Sequence, residues 1–184
     1  MLFSIVRWAA GILLFVLFLI IFILTTKKKA KSALISAFIS IILVAVSLFI
    51  PVENVFCTFG SVEEIFSYRY HEELLSYAEC DEGALCVAKR DEMNYFYYSF
   101  PKDDEGYKLP TGIVSDIVKR SSAQGIYLFE SFESHTIILT QVVGSEYKGE
   151  AFKPCTNGYY AYIVTDGEVD YSALSCSGEK VRLV

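Results

Sequence analysis

The sequence predicts an α+β chain: an N-terminal two-helix transmembrane hairpin, then a mostly antiparallel β domain with one short helix. Two apolar runs, residues 2–24 and 33–50, open the chain, and each is near the roughly 20 residues with which a helix crosses a bilayer. All 22 acidic residues follow residue 51, where 11 basic residues accompany them. Short alternating runs between turn residues then indicate strands. We therefore expect a hairpin over 1–51 and a β-rich domain over 52–184.

The loop between the two apolar runs predicts the orientation of the hairpin. Its basic residues are Lys27, Lys28, Lys29 and Lys31. Short loops rich in lysine stay in the cytoplasm, so we expect loop 25–32 inside and both termini, with the 52–184 domain, outside. This predicts a multi-pass plasma-membrane protein whose first partner is the lipid bilayer.

Two alternatives for the N-terminal region are disfavoured. A signal peptide has a shorter apolar core than residues 2–24 and ends at a small-x-small cleavage site, which is missing here. Cys57 as a lipidated residue is disfavoured because the bulky Phe56 precedes it. We therefore expect an uncleaved hairpin.

Small residues recur along the second apolar run, at Ser36, Ser40 and Ser47. Small residues on one helix face let a neighbouring helix approach closely. One interpretation is that they pack the hairpin against its own first helix. The other is that they contact a second membrane protein.

The first part of the domain predicts a helix and a hairpin. Ser61 and Glu64 have the spacing of a capping box, which predicts a helix from Val62 to about Tyr70. Residues 75–80 and 84–89 then alternate around the turn 81–83. If that loop has three residues, small side chains share one face, against which Ile65 and Phe66 would lie; they are Ser76, Ala78, Cys80, Ala84, Cys86 and Ala88.

The remaining pattern predicts a curled or sandwiched antiparallel sheet. Aromatic and β-branched residues favour strands, and Asp-Gly favours a two-residue hairpin turn. One predicted hairpin joins 126–132 to 136–143, and another joins 159–165 to 169–174 around Asp166-Gly167. Further strands are predicted over 94–100, 107–109, 113–118 and 181–184.

The five cysteines allow disulfides, because an outer domain lies in an oxidising compartment. The hairpin around Asp166-Gly167 would bring Cys155 near Cys176, and a wide loop would let Cys80 pair with Cys86. Cys57 would be left over. The alternative is that all five are small, buried, reduced side chains.

The sequence contains no recognisable catalytic, cofactor-binding or metal-binding motif. The nearest cysteines are six positions apart, which is unlike the closely spaced ligand pairs of zinc sites. Histidine is the usual acid-base residue near neutral pH, and the chain has two, His71 and His135. Surface positions explain both better than catalysis. We therefore expect neither a cofactor nor an enzyme.

All 13 tyrosines lie beyond residue 50. Exposed tyrosines make rigid contact surfaces that suit protein interfaces and stacking on sugar rings. Tyr95, Tyr97 and Tyr98 are the candidates for such a surface, although packing within the sheet explains any single tyrosine more simply.

Composition and the missing motifs predict non-enzymatic binding in the cell envelope, with another envelope protein or a wall glycan as partner. Nucleic acid is excluded because the domain is strongly acidic and such binding depends on basic residues. One alternative is an accessory or sensor subunit that acts through helix contacts. The other is an envelope hydrolase that uses His135 or a pair of acids.

Overall fold

The computed structural model describes residues 2–26, 35, 38–39, 41–42, 51, 53–92, 94–110, 118–122, 125–165 and 168–183. The chain forms two compact units. One comprises Met1–Cys57, Ser67–His71 and Thr111–Ile113, and the other comprises Thr58–Phe66, Glu72–Pro110 and Val114–Val184. The predicted boundary between residues 51 and 52 stays a prediction.

Three helices have their bounds among the described residues: α1 (Leu2–Thr26), α2 (Glu53–Phe56) and α3 (Val62–Arg69). Residues 35, 38–39 and 41–42 are also helical. Among all the described residues, no helix combines the length and the hydropathy that a membrane crossing requires. The predicted transmembrane hairpin is therefore wrong, as is the plasma-membrane location with both termini and the domain outside. The prediction rested on composition, and an apolar run favours removal from water without fixing what covers it.

Several residues on which that prediction relied lie outside the described residues. They are Lys27, Lys28, Lys29, Lys31, Ser36, Ser40 and Ser47. Large apolar side chains of α1 are exposed, including Trp8, Leu13 and Phe15.

The β-rich character is seen in three antiparallel sheets. Sheet 1 has the order β1-β2-β3-β4. Its strands are β1 (Glu73–Cys80), β2 (Gly83–Lys89), β3 (Tyr95–Asp103) and β4 (Gly106–Tyr107). Sheet 2 has the order β10-β11-β7-β6-β5. Its strands are β5 (Val118–Ser122), β6 (Gly125–Ser131), β7 (Thr136–Thr140), β10 (Lys153–Pro154) and β11 (Tyr160–Val164).

Sheet 3 has the order β13-β12-β8-β9. Its strands are β8 (Ser145–Tyr147), β9 (Glu150–Ala151), β12 (Leu174–Cys176) and β13 (Glu179–Lys180). Short 3-10 turns lie at Thr156–Gly158 and Tyr171–Ala173. The last predicted strand, 181–184, is wrong for its described residues, because 181–183 follow β13 without strand structure.

The first hairpin has a two-residue turn, because Cys80 pairs with Gly83. The three-residue loop considered above is therefore wrong. A shift of one residue moves side chains to the other face of a strand. Ala78 consequently shares its face with Leu85 rather than with Ala84, and the small residues are divided between the two faces.

The start of α3 covers one face of sheet 1. The Ser61 hydroxyl oxygen accepts a hydrogen bond from the Glu64 amide at 3.2 Å, as the capping box predicts. The ring of Phe66 meets the ring of Tyr98 edge-on at 5.8 Å. The small side chains Ala84 and Cys86, both fully buried, lie in register with Phe100 and Tyr98 on this face.

Sheet 2 is the middle layer of this unit, and both of its faces are buried. Towards sheet 1, Leu128 and Leu139 pack with Leu85 and Val87. Towards sheet 3, Ile138 packs in a second cluster with residues such as Tyr147 and Leu174. Strand β7 is buried along its whole length for this reason.

One of the two later predicted hairpins is confirmed and the other is wrong. β6 pairs with β7 as predicted, from Ser131 opposite Thr136 to Tyr127 opposite Thr140. β11 instead lies between β7 and β10, and β12 pairs with β8 and β13 of another sheet. The turn 166–167 lies outside the described residues. Alternation identifies strands, but it does not determine which strands pair when they are distant in sequence.

Candidate functional site

A cleft of about 560 Å³ opens between the edge strands of the three sheets, β1, β9 and β10. We call it the acidic cleft. Glu63, Glu79 and Glu150 line it, together with one basic residue, Lys153. Its volume lies within the range of about 300–1,000 Å³ that is typical of binding sites.

The path of the chain explains why the cleft lies there. The chain leaves sheet 3 at Ala151 and joins sheet 2 at Lys153, so β9 and β10 belong to different sheets. Between them Phe152 is buried, and its amide donates to the Ser145 carbonyl at 3.0 Å. The edge strand β1 of sheet 1 forms the opposite wall through Tyr77 to Glu79.

Each glutamate of the acidic cleft accepts a hydrogen bond from a tyrosine hydroxyl. Tyr77 donates to Glu63 at 2.6 Å, and Tyr162 donates to Glu150 at 2.7 Å. In the third pair, the Tyr107 hydroxyl donates to Glu79 at 2.5 Å. These bonds orient carboxylates that belong to different elements towards one space.

The first of these bonds favours the ionised form of the Glu63 carboxylate. The hydrogen bond from Tyr77 lowers the pKa of Glu63, and the hydrogen bond to Glu63 raises the pKa of Tyr77 to about 12. The hydrogen bond to Glu150 likewise raises the pKa of Tyr162. A carboxylate accepts several hydrogen bonds, so each one can still bind a further donor.

This arrangement suits a cation with an apolar stem. Carboxylates bind ammonium and guanidinium groups through charge-assisted hydrogen bonds, and tyrosine faces attract cations. Ala78, Cys155 and Ala161 supply apolar lining between the charges. Aliphatic stems of lysine or arginine pack against such surfaces while the charged end stays in water.

A second cavity, of about 360 Å³, contains two of the tyrosines singled out in the sequence. Tyr95, Tyr97 and Tyr159 line this tyrosine groove, and none of the described residues that line it is charged. Burial raises the pKa of Tyr159 to about 12. Tyr98 does not join them, because it lies on the other face of β3, with its ring stacked on Phe96 at 6.3 Å. The role of these tyrosines in binding a glycan stays a prediction.

His135 lies beside a serine and an acid at the end of the β6–β7 hairpin. The Ser134 hydroxyl donates to Glu82 Oε1, and the Ser134 amide donates to Glu82 Oε2 at 2.9 Å. The His135 amide also donates to Glu82 Oε2, at 3.1 Å. Glu82 belongs to the turn between β1 and β2, so its carboxylate joins the ends of two hairpins.

The geometry of these three residues differs from that of a catalytic triad. In a triad, one histidine nitrogen faces the serine and the other faces the acid. Here both Ser134 Oγ, at 3.0 Å, and Glu82 Oε1, at 3.3 Å, approach the same nitrogen, His135 Nδ1. The serine proton points to the glutamate rather than to the histidine. The arrangement therefore supports a structural link between two turns.

We expect this link to make stability sensitive to acid. Hydrogen bonds from the Ser134 hydroxyl and amide lower the pKa of Glu82 from 4.5 to about 2. A carboxyl group whose pKa is lower in the folded state than in the unfolded state stabilises the fold at pH values above the unfolded-state pKa. This contribution disappears as the pH falls through the folded-state pKa. Melting temperatures measured from pH 7 to pH 2 should fall more steeply below pH 4.5 in the wild type than in Glu82→Gln.

The neighbouring Asp81→Asn, in the same turn, is the matched control and should keep the wild-type slope. Equal slopes for wild type and Glu82→Gln would contradict the assigned link.

The cysteines proposed as disulfide partners are not brought together, and all five thiols are free in the structure. In the strand register, Cys86 lies opposite Tyr77, which is three positions along β1 from Cys80. Because residues an odd number apart in a strand point to opposite faces of the sheet, the side chains of Cys80 and Cys86 lie on opposite faces. Cys155 packs against the cluster between sheets 1 and 2, whereas Cys176 packs against the other cluster. Burial raises the pKa values of Cys80, Cys86 and Cys155.

Sequence reasoning missed the acidic cleft because its pairs are distant in the chain. Tyr77 and Glu63 are 14 positions apart, and Tyr107 and Glu79 are 28 apart. The available signal was the joint excess of tyrosine and acid beyond residue 50. No family model, curated protein or solved structure matches this chain. The geometry of the cleft is therefore the basis for a functional proposal.

Proposed function

We propose that this protein is a non-enzymatic interaction module whose acidic cleft binds a positively charged segment of another polypeptide. The observation that carries the proposal is the convergence of Glu63, Glu79 and Glu150, each held by a tyrosine hydroxyl, on one cavity. The partner would place lysine or arginine side chains among the three carboxylates.

The charge of the whole chain supports a basic partner. The chain carries a formal net charge of −6, and all of its acids follow residue 51. A negative surface attracts positively charged partners over about 10 Å at 0.1 M salt and speeds their encounter. The surplus of acid also disfavours nucleic acid as the ligand.

Affinity for a basic peptide tests the proposal. Fluorescein-labelled hexalysine is titrated with the purified full chain, and binding is followed by fluorescence anisotropy. The test variant replaces Glu63, Glu79 and Glu150 with glutamine, which still accepts the tyrosine hydrogen bonds. Because exposed ion pairs contribute about 0.2–1 kcal/mol each, we expect roughly tenfold weaker binding.

The matched control removes three acids that lie outside the cleft, through Glu92→Gln, Asp104→Asn and Glu179→Gln. These side chains are exposed, and the control has the same net charge as the test variant. We expect its affinity to stay within about twofold of the wild type, because distant exposed charges are screened. Equal losses in both variants would show that net charge acts and the cleft does not.

A further inference from the structure

We propose that the acidic cleft takes its cationic partner as an added β-strand along the free edge of β1. This inference rests on the proposed function and specifies the conformation of the bound segment. In such recognition the backbone hydrogen bonds supply affinity, and the alternating side chains supply specificity.

The register of the first hairpin shows which backbone groups of β1 point outward. The turn is closed by the pair Cys80–Gly83, and hydrogen-bonded pairs alternate with non-bonded pairs along an antiparallel ladder. Ala78 therefore bonds to β2, and the amides and carbonyls of Tyr77 and Glu79 point away from it. Within the described residues, sheet 1 ends at β1 on this side, and both residues line the cleft.

On the opposite wall, strand β11 is paired with β10 only from Tyr160 to Ala161. The Cys155 amide donates to the Tyr159 carbonyl at 2.8 Å. The backbone amide and carbonyl groups of Tyr159 therefore point towards β10. The backbone amide and carbonyl groups of Ala161 and Ile163 also point towards β10, because the hydrogen-bonding groups of alternate residues in a strand face the same neighbour. Ala161 pairs with Lys153. Continuing that register would place Ala151 opposite Ile163, but Ala151 pairs with Glu146 in sheet 3.

The length of the added strand is limited at one end. The carbonyl of Leu75 already accepts hydrogen bonds from the side chains of Thr156, at 3.1 Å, and Asn157. The open edge therefore runs from Tyr77 towards Cys80. At about 3.3 Å per residue, this stretch accommodates roughly four residues of an extended peptide.

The two faces of the added strand would meet different surroundings. Side chains on the face of Tyr77 and Glu79 would meet the carboxylates of Glu79 and Glu63. Those on the other face would lie on the side of Ala78, whose cluster includes Ala161 and Cys155. The geometry therefore selects a segment in which basic and apolar residues alternate.

Charge also separates this partner from a second copy of the chain. A free strand edge invites pairing with an identical edge, and charged side chains oppose such pairing. Glu73 and Glu79 are both exposed on β1, so two copies of the edge would repel each other. A cationic strand is attracted by the same side chains.

Peptides of equal composition test the inference on the full chain. Acetyl-KVKVK-amide alternates charge, whereas acetyl-KKKVV-amide has the same residues in blocks. Two further versions of the alternating peptide carry N-methyl groups on its even or its odd residues. Because a net hydrogen bond contributes about 0.5–1.5 kcal/mol, blocking the set that donates to β1 should weaken binding about tenfold.

The expected result is that the alternating peptide binds more tightly than the block peptide, and that one N-methylated version, but not the other, loses affinity. Equal affinities for all four peptides would overturn strand addition and leave the proposed function intact, because charge alone would then account for binding. Loss of binding to every cationic peptide would overturn the proposed function and this inference together.

Discussion

Replacing Leu139 with alanine is expected to destabilise the protein by about 2–5 kcal/mol, the usual cost of such a truncation in a closed core. Leu139 is fully buried and lies in β7, opposite Leu128 on one side and Ala161 on the other. Its side chain belongs to the cluster that joins sheets 1 and 2. The cavity would open between two sheets whose backbones are fixed by their own ladders, so little relaxation can close it.

Urea unfolding followed by circular dichroism measures this loss. Val143→Ala is the matched control, because Val143 is 69% exposed and exposed substitutions usually change stability by less than about 0.5 kcal/mol. A change below 1 kcal/mol for Leu139→Ala would show that sheets 1 and 2 do not pack through this residue.

Replacing Gly83 with alanine is expected to destabilise the protein by about 1–3 kcal/mol, as overpacking of a filled core does. A Cβ atom at this position would lie 2.6 Å from the carbonyl oxygen of Phe100 and 2.3 Å from the ring of Phe132. The ring could rotate away. The carbonyl belongs to β3, which pairs with β2 at this position, so the strands themselves would have to separate.

The same unfolding measurement applies, with Gly60→Ala as the control. A Cβ atom on Gly60 would meet only the flexible carboxylate of Glu64, at 3.8 Å, and stability should change by less than about 0.5 kcal/mol. If Gly83→Ala and Gly60→Ala changed the free energy of unfolding equally, this would contradict the tight approach of β2 and β3 to the β6–β7 loop.

Local signals in the sequence predicted local structure well. The capping residues Ser61 and Glu64 mark the start of α3, and alternation on both sides of residues 132–135 marks the β6–β7 hairpin. Both depend on contacts between residues close in the chain. The transmembrane hairpin failed because it rested on the apolar composition of 2–24 and 33–50, which does not specify what an apolar helix contacts.

Distant pairing could not be predicted in the same way. The sequence around Val164 and the sequence around Leu174 both show the alternation of polar and apolar residues that is typical of hairpin strands. Their strands nevertheless belong to different sheets, because β11 joins sheet 2 and β12 joins sheet 3. The packing of three sheets decides this, and no short stretch of sequence contains that information. The acidic cleft has the same origin, because Glu63, Glu79 and Glu150 come together only after the three sheets have formed.

The most direct test of the central claim is to locate the bound cation on the protein. The full chain labelled with nitrogen-15 is titrated with hexalysine, and amide chemical shifts are followed by nuclear magnetic resonance. We predict that the largest changes cluster at residues 77–79, 150–151 and 161–163, which line the acidic cleft. Changes centred on another surface, or no changes at millimolar peptide, would contradict the assignment of the cleft as the binding site.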